Sequence, residues 1–171
     1  MGFNDVNIEK RFNYTFFIEM LRYGTEFYIA CAIEDAGVER ENLFLTTKLW
    51  PADYDYSSAM EAGSMSMKRL NTDYLDLYLL HWPTSNMLHK KEALEESWRA
   101  LEVMVDSERC RTIGVSNFNQ SELEELIDIA SIIPHVNQHE FHPYQNPKLL
   151  RQFCVENGIQ FEVRSKVTII S

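Results

Sequence analysis

Cysteine is scarce in this 171-residue chain and poorly placed for cross-linking. Cys31, Cys110 and Cys154 are odd in number, widely spaced and include no C-x-x-C pair. That excludes a disulfide framework and a thiolate zinc site, and the expectation is reduced thiols in a cytoplasmic setting. Positive charge is also short, with 16 basic against 26 acidic residues and a net charge of -10. Nucleic acid and anionic membrane reward positive charge, so neither is an expected partner. No apolar run approaches the ~18 residues that a transmembrane helix needs. No basic segment followed by an apolar one opens the chain, so no secretory signal is expected. No Gly/Ser linker divides it. No G-x-G-x-x-G follows a strand pattern, which weakens an open dinucleotide-binding sheet.

What is present is enough for one domain, since 45% of residues are apolar and 12% aromatic. From Leu43 onward, short apolar runs alternate with amphipathic stretches. The runs are 43–47, 74–80, 112–115, 135–138 and 159–163. Between them lie helical patterns. One covers about Ser58 to Leu70, opened by a Ser58/Glu61 capping box. A second carries Leu94, Trp98, Leu101 and Val105 on one stripe. A third is opened by Ser121 and Glu124, and a fourth runs from about Pro147 to Glu156 and stops at Asn157-Gly158. Upstream, Thr25 to Ala36 reads as a helix ending at Gly37. Strands alternating with helices imply βαβ units and a parallel sheet, either open or closed into a (β/α) barrel.

Each buried run ends in polar residues. The first ends in Lys48, then Leu49-Trp50. The second ends in His81, then Trp82-Pro83. The third ends in Ser116-Asn117, and the fourth in Gln138 followed by His139-Glu140-Phe141-His142. Parallel strands bring all of these ends to one side, the side on which barrels build active sites. Singly, a lysine there is a solvated group, a histidine is a hydrogen-bonded structural residue, and Ser or Asn is a helix cap. Together, with Trp50 and Trp82 beside them, they read as a pocket. A metal site at His139, Glu140 and His142 is disfavoured, because neighbours on a strand face opposite ways.

These residues also sit in blocks that resemble the aldo-keto reductases: Leu43–Trp50, Tyr74–Pro83, Ile113–Phe118 and Val136–Tyr144, with Tyr23-Gly-Thr-Glu26 before them. The resemblance runs in order from about Tyr23 to Val163. It implies an incomplete (β/α)8 TIM barrel of five to six parallel strands over residues 23–171, preceded by a non-matching segment, 1–22. It implies an NADP-dependent carbonyl reductase acting on small aldehydes or ketones, with NADPH as cofactor and NADH as the alternative. Tyr23 would be the general acid, Lys48 would favour its phenolate, and His81 would orient the carbonyl. Ser116, Asn117, Gln138 and Ser165 would hold the cofactor, and Trp50 and Trp82 would line the substrate pocket.

The sequence departs from that pattern in places. The family's aspartate, five residues before the tyrosine, is here Ile18. Glu19 is adjacent, but a one-residue shift on a strand is expected to turn it to the other face. Arg164 replaces an aromatic residue, and only Ser165 matches the block around it. A barrel takes ~250 residues, so the chain is expected to lack strands and to self-associate through open sheet edges. The alternative to an active reductase is a catalytically incompetent remnant with at most a binding or scaffold role.

Overall fold

A computed structural model describes residues 16–19, 25–83, 89–140 and 147–164, with the backbone alone at 16–19, 90 and 164. Tyr23, His142 and Ser165 lie outside the described residues. Six parallel strands follow one another in chain order across a single sheet: β1 (Phe16–Glu19), β2 (Leu43–Leu49), β3 (Leu75–Leu80), β4 (Cys110–Ser116), β5 (Val136–Glu140) and β6 (Gln160–Arg164). Between them run α1 (Glu26–Ala36), α2 (Tyr56–Leu70), α3 (Lys90–Asp106), α4 (Gln120–Ile127) and α5 (Lys148–Glu156). Unbroken strand order with a helix between successive strands is the winding of a (β/α)8 barrel, of which these elements form part. The segment before Tyr23 shows no pattern in the sequence, yet it contributes β1, paired to β2.

The sheet has two apolar faces, as a strand buried on both sides requires. On one face Leu43, Leu45, Leu49, Tyr78, Leu80, Ile113 and Val115 meet Leu70, Trp98, Leu101, Met104, Leu123 and Leu126 of the helices. On the other, Phe44, Leu77, Leu79 and Val136 form a small inner cluster. Gly114 of β4 lies in that inner layer. A Cβ there would collide with the Val136 carbonyl oxygen and come within 2.9 Å of Leu79 Cδ2, so the close approach of β4 to β5 requires glycine.

Helix boundaries correct two expectations. α2 starts at Tyr56, capped by Asp55, whose carboxylate accepts from the Ser58 backbone N–H at 2.9 Å; Ser58 is not the cap. The hydrogen bonds from Ser58 also hold the Asp55 carboxyl below its usual pKa. α4 starts earlier than expected in the same way. Asn119 and Glu122 make the reciprocal box, in place of Ser121 and Glu124. In both cases the residue at the true boundary carries an oxygen that can reach the free N–H groups of the first turn. Gly37 and Gly158 end α1 and α5 in left-handed conformations, as their positions predict.

His135, just before β5, gives a first pH prediction. Burial holds its imidazole below the usual pKa. The neutral ring is therefore the form the fold prefers. Its contribution is complete above the unfolded value, near 6.5, and is lost as pH falls through the folded value. Urea midpoints measured from pH 7.5 to pH 5.5 should fall progressively. His135→Asn should flatten that part of the profile, and an unchanged slope would contradict the assignment.

Candidate active site

Alternation along β2 places Phe44, Thr46 and Lys48 in one row, and Phe44 belongs to the inner cluster. Leu77, Leu79 and His81 make the corresponding row of β3, Gly114 and Ser116 that of β4, and Val136 and Gln138 that of β5. The apolar members fill the middle of the inner layer. The polar ones gather at the C-terminal ends of four adjacent strands. Lys48, His81, Ser116 and Gln138 are all buried there.

One bond shows that these ends converge. Lys48 Nζ donates to Gln138 Oε1 at 2.5 Å. β2 and β5 are separated by two strands in the sheet. Their side chains can therefore meet only across the concave side, not along the ladder. Gln138 in turn donates through Nε2 to Glu162 Oε1 of β6 at 2.7 Å.

His81 is held by its backbone on both sides. Its N–H donates to Leu49 C=O at 3.0 Å, and its C=O accepts from Asn117 Nδ2 at 3.0 Å. Asn117 has a left-handed φ of 65°. It also donates to Ser116 Oγ at 3.1 Å, and its N–H reaches Gln138 C=O at 2.8 Å. A single residue thus ties the ends of β3, β4 and β5 together. Positive φ at a non-glycine residue is an uncommon, mildly strained conformation, best tolerated by Asn.

Trp50 and Trp82 flank the His81 ring. Trp50 meets it edge-on at 4.9 Å, and Trp82 stacks at 5.7 Å with an interplanar angle of 10°. Both indoles stay exposed, 44% and 45%. They bracket His81 at the rim rather than close over it. Sequence reasoning missed Tyr54, which fixes Trp82. Its hydroxyl donates to Trp82 C=O at 2.6 Å and accepts from Trp82 N–H at 3.1 Å. No local pattern marks Tyr54, because its partner is 28 residues away. Glu162 was missed for a similar reason.

The register of β1 reverses one sequence expectation. Ile18 pairs with Leu45, and Glu19 with Thr46. Leu45 belongs to the helix-side cluster, while Thr46 stands in the row of Lys48. Glu19, not Ile18, therefore holds the register position nearest Lys48.

Arg164 is placed by its backbone alone, opposite Glu140. His139 stacks on Phe161 at 6.2 Å, and no cluster of potential metal ligands occurs among the described residues. The three cysteines are free thiols. Burial raises Cys154, and pushes Cys110 up to about 12. Neither buried thiol is thereby suited to nucleophilic chemistry at neutral pH. No helix among the described residues is long and apolar enough to cross a membrane.

Comparison with known proteins follows the same outline. The sequence profile of the Aldo/keto reductase family matches residues 22–168. A glyoxal reductase of Bacillus subtilis is 45% identical over 143 residues, covering 84% of this chain and 50% of its own length. The crystal structure of an aldo/keto reductase from Brucella melitensis superposes with a TM-score of 0.77 at 42% identity, over 83% of this chain and 54% of that one. An aldo-keto reductase of Bombyx mori, solved in complex with NADP, gives a TM-score of 0.71 at 33% identity over 80% of this chain and 47% of its own. The chain spans about half the length of the relatives it matches.

Proposed function

This chain belongs to the aldo/keto reductase family, and from that premise we propose that it serves NADP-dependent reduction of aldehydes or ketones to alcohols. The observation that carries the reading is the meeting of Lys48, His81, Ser116, Asn117 and Gln138 at one end of four neighbouring strands. The cofactor, when bound, supplies hydride to the carbonyl carbon.

The donor set suits a nicotinamide carboxamide, which needs both donors and acceptors. Gln138 gives one N–H to Glu162 and one oxygen lone pair to Lys48. An amide has two N–H groups and two oxygen lone pairs, so a glutamine can serve a carboxamide as both donor and acceptor. Asn117 spends its amide N–H groups on His81 C=O and Ser116 Oγ. Its oxygen and the Ser116 hydroxyl proton can then face the same group. Ser165 would add a further contact.

Tyr23 would give its phenolic proton to the carbonyl oxygen as hydride arrives. A tyrosine with an ordinary pKa near ~10 holds that proton too firmly to exchange it at neutral pH. The ammonium of Lys48 would favour the phenolate. His81 would hold the carbonyl oxygen in place, its own ring steadied between Trp50 and Trp82. Glu19, in the register row of Lys48, would take the place of the family's aspartate.

Titration with NADPH, followed by nucleotide fluorescence, tests the reading directly. Saturable binding and consumption of NADPH on adding an aromatic aldehyde are expected. A folded sample that binds no nucleotide would overturn it.

A further inference from the structure

Glu162 has no part in the chemistry outlined above, yet it completes a chain of three polar groups across the inner face. Lys48 Nζ donates to Gln138 Oε1 at 2.5 Å, and Gln138 Nε2 donates to Glu162 Oε1 at 2.7 Å. Lys48 and Gln138 are buried, and Glu162 is half-buried on the neighbouring strand, directly opposite Gln138 in register.

The chemistry of the ends fixes the middle. An ammonium only donates, so it must meet the amide oxygen. A carboxylate only accepts, so it must meet the amide nitrogen. Turning the Gln138 amide over would set N–H against ammonium and oxygen against carboxylate. Glu162 and Lys48 therefore lock one orientation of Gln138. Both bonds are charge-assisted, and charged ends polarise the amide between them. A buried ammonium needs such compensation, because burial by itself disfavours the charged form.

We propose that Glu162 is a positioning residue of this site, one that sets the orientation of the Gln138 amide and, through it, holds Lys48 as an ammonium. Its functional meaning rests on the reductase reading, because an amide of fixed orientation offers the carboxamide its donor and acceptor sides in a fixed order. The charge relay itself does not depend on that reading. Other ionisable groups at this end, among the described residues, include His81 after β3, His139 and Glu140 at the end of β5 and, by register, Glu19 on β1 and Arg164 on β6; the family pattern adds Tyr23.

The test is NMR of the full chain labelled with ¹⁵N and ¹³C at lysine, following the Lys48 ammonium against pH. Glu162→Gln keeps the shape and can still accept through its oxygen, but removes the charge. Its Lys48 midpoint should fall by about one pH unit, a tenfold weaker hold on the proton. Gln138→Leu should also lower the midpoint. In the Gln138→Leu background, Glu162→Gln should then add little. Glu162→Ser provides a second removal of the charge should the first variant fold poorly. A midpoint unmoved by both Glu162 substitutions would overturn the proposal, as would an equal shift with and without Gln138. NADPH binding to the same samples separates the two claims. A chain that binds no nucleotide but keeps the Glu162-dependent midpoint loses the reductase reading and retains the relay. A chain that binds nucleotide with an insensitive midpoint does the reverse.

Discussion

Replacing Lys48 with methionine is expected to cut aldehyde turnover by about 10²- to 10⁴-fold, the range that a positioned proton donor contributes. Methionine is close in length and apolar, so it can occupy the same buried channel. What disappears is the charge. On the proposed mechanism the phenol of Tyr23 would then lose the cation that favours its ionisation, and proton delivery would slow. The effect on folding should be small, because two contributions oppose each other. A buried ammonium no longer has to be desolvated, which favours the variant. Gln138 Oε1 loses the donor seen at 2.5 Å, which costs about 1–3 kcal/mol. Turnover and thermal midpoint measured on the same preparation separate the roles. Activity within tenfold of the parent would remove Lys48 from the mechanism. A collapse of both together would make it structural.

At the opposite end of the strands, on the helix-facing side of the sheet, Asp76→Ala should do the converse, lowering stability by about 3 kcal/mol. Asp76 is fully buried at the start of β3. One carboxylate oxygen accepts from Arg40 at 2.7 Å and from the Leu45 N–H at 2.9 Å, and the other accepts from Arg111 at 3.1 Å. Both guanidinium groups also stack on Tyr74, at 3.8 Å and 4.2 Å from the ring centroid. Alanine would leave two cations and a backbone N–H without this acceptor. Removing one partner of a buried pair typically costs about 3–5 kcal/mol. The lower end applies here because the Arg40 and Arg111 side chains are 20% and 38% exposed, and water screens part of the loss. The thermal midpoint should fall by about 6–12 °C for a chain of this size. NADPH affinity at low temperature should hold, since Asp76 lies at the far end of the strands from His81. A stable but inactive variant would contradict this division between the two ends of the strands.

The two predictions rest on knowledge of different kinds. Lys48, His81, Ser116, Asn117 and Gln138 are legible as strand-end residues, because apolar runs and helical periods are local patterns. Their spacing predicts parallel strands, and parallel strands bring like ends together. The same patterns place two helix starts a few residues late, at Ser58 and Ser121. Several polar residues near each boundary can cap a helix, and backbone geometry chose Asp55 and Asn119.

The sequence by itself determined the alternation of strands and helices, the family, and the end of the sheet where polar residues collect. Only the tertiary structure decided which of them touch. Lys48 reaches Gln138 across 90 residues, and Gln138 reaches Glu162 across 24. Glu19 gains the row of Lys48 through its pairing with Thr46, and Tyr54 finds Trp82 across 28 residues. Register and curvature are set by how whole strands pack, and no local window of residues carries that information.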